Sequence, residues 1–485
     1  MRRITTLALL LAATLAMQAQ EKTLKAFSLK EAVDYAVNNN NDAKNAKLDE
    51  AKAKARNKEI IATGLPQVSA SVDYNYYFKA PIVPALSQFF NDTTSATSRV
   101  FGYLAQNDPN IANLLYQSSI QSKDQKISFV LPHSLGGSLQ LTQLLFDARY
   151  MFGIRATKDL IKTSRLSREM TDIEVKYSVT KAYYQARSAQ QANAMMANTL
   201  VLIQKLLGET NETFKQGLIE ELDVDRLALI EANLKSQIAQ QKRMEDVALA
   251  NLKFQMGMPL NDEILLTDDL ESLLAQAGVR TDAGSFDVTK RIEYELLNTA
   301  IKLQGYDIAQ KRSGYYPSLV AFLNYGWTAQ SQTFEGMFKN TTQYYPDGDS
   351  RKISPWFDQG LVGIKLNLPI FDSGSRMAQV KQAKLEQQKA TNNANNFKNA
   401  AELQYRVAYS SFTNALEEET NNKRSVDLSQ KIFNTNRIKY QNGVGSSFEL
   451  EQSEQDLITN QLKSIQSTLN LLTSKADLDK ALGIK

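Results

Sequence analysis

One stretch of alternating residues, 67–78, limits the possible folds of this chain more than any other feature. Polar residues there alternate with an apolar set that ends in aromatic residues: Val68, Ala70, Val72, Tyr74, Tyr76 and Phe78. Because successive side chains of a strand point to opposite faces, the run predicts a β-strand with one apolar and one polar face. About ten residues are enough for a tilted strand to cross a bilayer. A second copy, residues 318–327, repeats the apolar face with Leu319, Ala321, Leu323, Tyr325 and Trp327.

Two further alternating runs, residues 135–146 and 362–368, complete a predicted set of four strands. The segments between paired strands, residues 79–134 and 328–358, contain Pro, Gly, Asn and Ser. They are predicted as long outer loops, the first with a short helix near residues 111–116.

Helices are predicted for most of the remaining chain, because 21 Gly and 10 Pro are few chain-breaking residues for 485 positions. A capping box at Ser28 and Glu31 starts a helical region that runs to about residue 62. A helix over about residues 291–311 precedes the third strand. Long helices over residues 149–216 and 375–442 end at glycine turns and are followed by second helices. The second helix of the first pair covers residues 222–256.

The order of these elements indicates an internal duplication. Phe146-Asp147 and Gly217-Leu218 recur about 225 positions later as Phe371-Asp372 and Gly443-Val444. We therefore divide the chain into a signal peptide (1–19), a first repeat (20–260), a connector (261–290) and a second repeat (291–485).

Composition excludes several classes of function. The N-terminus has the pattern of a secretory signal peptide, with Arg2 and Arg3 before an apolar run over residues 7–16 and Ala19 near the cleavage site. There is no Cys and only one His, His133, so thiol chemistry, lipid attachment at a cysteine and a multi-histidine metal site are excluded. The net charge of +4 is too small to indicate nucleic-acid binding. No cofactor motif or catalytic constellation is found.

Four strands with an apolar outer face cannot stand alone in lipid, because their edges leave backbone groups unpaired at a cost of several kcal/mol each. No later stretch is apolar for long enough to form a transmembrane helix, so a membrane-bound form must use strands. Two chains would give an eight-stranded barrel filled by its own side chains, and three would give twelve strands around a wet lumen. The polar faces favour the second arrangement, and we infer a homotrimer.

These features resemble the TolC-type outer-membrane efflux protein family over nearly the whole mature chain. The resemblance rests on Leu29, Ala32 and Ala36 before an Asn run, Pro66 and Pro317 before strands, Phe146-Asp147 and Phe371-Asp372 after strands, and the two hairpin turns. It implies an α+β membrane protein of the bacterial outer membrane. Duplicated helical hairpins would form a periplasmic tunnel, and four strands per chain would contribute to a twelve-stranded trimeric β-barrel. It also implies docking to a periplasmic adaptor (membrane fusion) protein and an inner-membrane transporter, without catalysis.

The resemblance places the turns Gly217-Leu218 and Gly443-Val444 at the adaptor-docking tips. The alternative is that these glycines only permit a positive φ at a helix end.

Acidic residues follow both turns and are candidates for a tunnel constriction: Asp223, Asp225, Glu449 and Glu451. Glu449 falls where related channels carry an acidic residue near the closed tunnel end. Three copies would form a carboxylate ring that attracts cations. The alternative is a capping box at residues 446–449, in which Glu449 serves only the helix N-terminus. Gly445 replaces a basic residue common in the family, which argues against a salt-bridge latch.

Aromatic residues on the predicted strands form a candidate girdle at the membrane interface: Tyr74, Tyr76, Tyr325 and Trp327. The alternative is a set of core aromatics in a soluble sheet. His133 is expected in or near an outer loop, with no special role.

The sequence therefore predicts the outer-membrane channel of a tripartite efflux pump, a passive export duct for small molecules. An alternative within the same class is the outer-membrane component of a type I protein secretion system. An alternative from another class is a periplasmic coiled-coil scaffold without a membrane part.

Overall fold

The computed structural model describes residues 25–79, 96–110, 113, 130–278, 286–344 and 349–484. The predicted signal peptide and the predicted short helix near residues 111–116 lie almost entirely outside these ranges. The chain forms two compact units. The helical unit comprises Met1–Lys58, Phe152–Arg312 and Ser375–Lys485, and the sheet unit comprises Glu59–Met151 and Ser313–Gly374.

The helices and strands follow the predicted order. The helices are α1 (Leu29–Asn39), α2 (Asn41–Ala62), α3 (Ala96–Asn107), α4 (Ala148–Lys215), α5 (Glu221–Met256), α6 (Leu270–Gln276), α7 (Ile292–Ser313), α8 (Ser375–Gln441) and α9 (Ser447–Leu482). The strands are β1 (Lys25–Phe27), β2 (Gln67–Tyr76), β3 (His133–Asp147), β4 (Ile264–Leu266), β5 (Ser318–Ser331), β6 (Thr341–Tyr344), β7 (Ser350–Ile353) and β8 (Trp356–Asn367). None of the helices in the described ranges combines the length and the apolarity that a bilayer span requires.

The sheet unit is built on one antiparallel sheet with the strand order β2-β3-β5-β8. The register keeps the apolar positions of the strands on one face. One row runs Val68, Leu141, Leu323, Val362, and the next runs Ala70, Leu139, Tyr325, Gly360. Every residue of β2 is exposed in the single chain. The four predicted strands and their two-faced character are therefore confirmed.

The opposite face is mainly polar along the centre of the sheet. Ser71 lies opposite Ser138, with their hydroxyl oxygens 3.0 Å apart, and the row continues through Gly326 to Gln359. The outer strands β2 and β8 each pair on one side only within the described residues. The sheet of one chain is therefore open, with two unsatisfied edges.

The helical unit is dominated by two hairpins of nearly equal size. α4 and α8 have 68 and 67 residues, and α5 and α9 have 36 residues each. α5 and α9 both end at a glycine with left-handed backbone, Gly257 at φ 72° and Gly483 at φ 73°. At Gly257 a Cβ atom would lie 2.7 Å from the backbone carbonyl oxygen of Asn39. The contact explains why this position needs glycine beyond its φ angle.

The segment predicted as the connector, residues 261–290, completes a core with the N-terminal segment. β1 pairs in parallel with β4. The Tyr183 hydroxyl donates to the carbonyl oxygen of Phe27 (3.0 Å), and the Leu29 amide donates to the Asp268 carboxylate (2.6 Å). Burial raises the pKa of Tyr183 to about 12. These contacts hold α1 and the connector in one core.

Two local predictions at the helix starts have different outcomes. The capping box at Ser28 and Glu31 is complete, with the Ser28 amide donating to the Glu31 carboxylate at 2.8 Å. At residues 446–449 only one half is formed, since the Glu449 amide donates to the Ser446 hydroxyl (3.2 Å). The structure shows no return bond from the Glu449 carboxylate to Ser446.

The predicted outer loops contain more regular structure than the sequence indicated. Helix α3 lies in the first segment, where Ser and Thr residues obscured the helical spacing of Val100, Tyr103, Leu104 and Asn107. In the second segment β5 continues to Ser331, and the β6–β7 hairpin follows before β8 begins. Strands of four residues are too short to show a clear period, so the prediction of plain loops was wrong here.

Candidate functional site

The two hairpin turns have the same backbone structure. Gly217 and Gly443 adopt φ values of 74° and 72°. The following amides donate back into the preceding helix, Leu218 to the Thr213 carbonyl (3.3 Å) and Val444 to the Lys439 carbonyl (3.0 Å). This is the Schellman arrangement, which explains both glycines structurally. It also leaves Leu218 and Val444 with 70% and 78% of their surface exposed.

Contacts between the hairpins hold the two turns at the same end of the helical unit. The side-chain amide of Gln441 donates to the Glu209 carboxylate (3.1 Å), and the Tyr440 and Thr210 hydroxyl oxygens lie 3.4 Å apart. The Arg226 guanidinium lies over the Phe448 ring at 5.6 Å. The two exposed apolar residues therefore belong to one surface, which we call the tip surface: Leu218, Val444 and the turns that carry them.

The predicted constriction residues lie just beyond the tip surface on α5 and α9. Glu449 and Asp225 are exposed, whereas Asp223 and Glu451 are half-buried. The exposed Glu449 carboxylate takes no part in capping the helix, so the structure leaves it open to solvent in the single chain. Acidic residues at a helix N-terminus are favoured by the helix dipole in either case.

Two residues near these acids, Tyr440 and Glu454, were not among the candidates predicted from the sequence. Burial and the Asp223 carboxylate raise the pKa of the Tyr440 phenol, while the hydrogen bond with Thr210 opposes them. Glu454 is 2% exposed on the inner face of α9, and burial raises its pKa to about 7. Its sequence signal is an acid between Leu450 and Ile458, four positions from each, within the apolar stripe of the helix.

The four predicted girdle aromatics lie on the apolar face of the sheet, toward the end where β2 finishes and β3 begins. The Tyr325 and Trp327 rings meet edge to face at 4.9 Å. His133 is the first residue of β3, at the edge of the predicted outer loop. Its ring packs on Tyr76 at 4.9 Å, and its Nδ1 lies 2.8 Å from the Tyr74 hydroxyl.

Solved structures of outer-membrane proteins share the fold of this chain. A structure of CusC superposes with a TM-score of 0.66 at 16% identity, covering 94% of this chain and 91% of that one. The CmeC outer membrane channel of Campylobacter jejuni gives 0.65 at 18% identity, covering 94% and 85%.

Sequence comparison finds partial matches to outer membrane efflux proteins. The model of the outer membrane efflux protein family matches residues 298–484. The probable efflux pump outer membrane protein TtgC of Pseudomonas putida is 24% identical over 331 residues, which are 66% of this chain and 63% of TtgC. The match thus spans less than two thirds of that relative's length. The chain is therefore similar to outer membrane efflux proteins in its C-terminal sequence and in its fold. The predicted fold class is confirmed.

Proposed function

We propose that this protein is the outer-membrane channel of a tripartite efflux pump, a passive duct that exports small molecules. The observation that carries the proposal is the open four-stranded sheet with one mainly apolar face. Relatives named as efflux pump outer membrane proteins support it.

The open sheet supports assembly from several copies. In lipid the free edges of β2 and β8 would leave backbone donors and acceptors unpaired. Because all four strands are antiparallel to their neighbours, β8 of one copy can pair with β2 of the next in the same antiparallel sense. Three copies of four strands make twelve, enough for a lumen lined by the polar face. A homotrimer is therefore our proposed assembly.

The tip surface supports docking of a periplasmic adaptor protein. Its turns each expose one bare apolar side chain that the chain itself does not cover, Leu218 and Val444. We place the inner-membrane transporter behind the adaptor, and outer-membrane lipid against the apolar face of the sheet.

Four further assignments accompany this proposal. Glu449, with Asp223, Asp225 and Glu451, contributes to a cation-selective constriction, and the aromatics at one end of the sheet form a girdle at the lipid interface. Residues 20–260 and 291–485 are two structural repeats joined by residues 261–290. The protein has no catalytic activity of its own.

Site-specific crosslinking tests the docking assignment. The chain contains no Cys, so Leu218→Cys and Val444→Cys each introduce a single thiol. After expression in the native host with a thiol-reactive crosslinker, both variants should give an adduct with a periplasmic protein that mass spectrometry identifies. Val201→Cys, on α4 and 67% exposed, is the matched control and should give none.

Fractionation of the same cells separates the competing functions. An outer-membrane protein that migrates on gels as a heat-sensitive trimer supports the channel. Recovery in the soluble fraction would refute the channel and favour a coiled-coil scaffold. Equal adducts at Val201→Cys and the tips would refute the docking surface alone. An adaptor from a protein secretion system would favour the type I alternative.

A further inference from the structure

A cleft in the helical unit lies between α5 and α9 and is also lined by Met196 of α4. Its volume is about 500 Å³, within the range of small-molecule sites. Ile230, Leu234 and Ile458 supply apolar wall. Side-chain amides supply much of the rest: Asn233, Gln237, Gln240, Gln241 and Gln455. The cleft therefore combines apolar surface with many hydrogen-bonding groups.

Glu454 is the charged group of this cleft. The side chain is 2% exposed, and its Oε1 atom is shielded from solvent without a hydrogen-bond partner. None of the described residues along the cleft is Lys or Arg. Burial, together with repulsion from Glu451 three residues earlier, raises the pKa of Glu454 to about 7. A buried carboxylate without a cationic partner is unfavourable, so a ligand that supplies the cation would bind favourably.

We propose that this cleft binds an organic cation that joins a protonated amine to an apolar body, with the ammonium group donating to Oε1 of Glu454. The remaining ammonium hydrogens can donate to amide oxygens of the cleft, and the apolar body packs against Ile230, Leu234 and Met196. Methionine adapts to ligands of different shape, which suits a site of broad specificity.

A divalent metal ion fits this cleft less well than an organic cation. Mg²⁺ and Ca²⁺ bind through several oxygen ligands, usually with more than one carboxylate. Glu454 is the one carboxylate among the described lining residues, and much of the wall is apolar. The chemistry of the lining therefore favours a ligand that is partly apolar.

Calorimetric titration of the full mature chain in lipid nanodiscs tests the proposal, with 2-phenylethylamine as the probe. The amine remains protonated across the measured range, so pH acts through the protein. The affinity should rise about tenfold per pH unit up to about pH 7 and then level off, because binding requires the ionised carboxylate. Glu454→Gln should bind at least about tenfold more weakly, with no pH dependence.

Matched controls distinguish binding in the cleft from partitioning of the probe into lipid and from a general effect of protein charge. Asp456→Asn removes an exposed acid two positions further along α9 and should bind as the unmodified protein does. The neutral analogue 2-phenylethanol should show no pH dependence. Asn233→Leu alters the facing helix without changing Glu454 and should also weaken binding of the amine.

Three results would overturn the proposal. The first is equal affinity of the probe for the unmodified protein and for Glu454→Gln. The second is probe binding that does not change with pH. The third is a Glu454 carboxyl that, measured by infrared spectroscopy without the probe, titrates below about pH 5. The last result would mean that a neighbouring copy already supplies the cation. The cleft lies within one chain, so these outcomes leave the channel proposal untested and are distinguishable from its failure.

Discussion

A single lysine placed on either face of β3 tests which face of the sheet meets lipid. Leu141 lies on the apolar face between Val68 and Leu323, and its neighbour Gln140 lies on the polar face between Ser69 and Asn324. The girdle aromatics pair with β3 between His133 and Leu139, and about five residues, or about 17 Å, separate Leu141 from the middle of that span. A strand tilted by about 40° covers about 20 Å between the interface and the bilayer midplane, so Leu141 is expected near the midplane.

Leu141→Lys should therefore destabilise the folded protein by about 2–4 kcal/mol, the cost of a lysine facing lipid at the midplane. Gln140→Lys should cost about 1 kcal/mol or less, because the lumen is wet. The difference corresponds to at least about a fivefold change in the folding equilibrium constant. Urea unfolding in vesicles, followed by the fluorescence of Trp327 and the other tryptophan, measures it. A Gln140→Lys variant as unstable as Leu141→Lys would refute the assignment of faces.

Three further predictions concern the helical unit. Gly257→Ala should destabilise the protein by about 2–5 kcal/mol and Gly217→Ala by about 1–2 kcal/mol, since both have positive φ but only the Cβ at 257 would meet a backbone carbonyl. Thermal unfolding followed by circular dichroism compares the two variants. Equal losses of stability would mean that the contact with the Asn39 carbonyl has no effect. Glu449→Gln should reduce the cation selectivity of single channels in planar bilayers. An unchanged reversal potential would mean that Glu449 acts only at the N-terminus of its helix. Because burial raises the pKa of Glu454 from 4.5 to about 7, its contribution to stability is complete below about pH 4.5 and is lost as pH rises through about 7. Glu454→Gln should therefore gain about 3 kcal/mol over the unmodified protein above about pH 8, and parallel pH profiles of the two proteins would contradict this.

The two-faced sheet could be predicted from sequence because strand periodicity is a local property. Alternation in residues 67–78 and 318–327 assigns each side chain to a face without knowledge of the partner strand. The long hairpins could be predicted for a similar reason, since Gly217 and Gly443 end helices wherever the helices pack. The register that joins Val68 to Val362 across four strands depends on pairing and was visible only in the structure.

The missed elements are short or depend on distant partners. β1 has three residues and exists because β4, more than 230 positions later, pairs with it. The β6–β7 hairpin and α3 are too short, or too rich in Ser and Thr, for periodicity to distinguish them from loops. The cleft at Glu454 depends on α5 and α9 lying side by side, which no local pattern specifies.

Comparison of the two hairpins distinguishes the acids that lie at helix N-termini from Glu454, which does not. An offset of 226 aligns Gly217 with Gly443, Asp223 with Glu449 and Asp225 with Glu451, so both repeats place acids in the first turns after the hairpin. A helix N-terminus favours such acids in either repeat. The same offset aligns Glu454 with Ala228, which is exposed. Glu454 therefore has no acidic counterpart at the matching position of the first hairpin, and its buried carboxylate lowers stability at neutral pH without serving a helix end. A cation bound in the cleft would offset this cost, which is what the proposed site predicts.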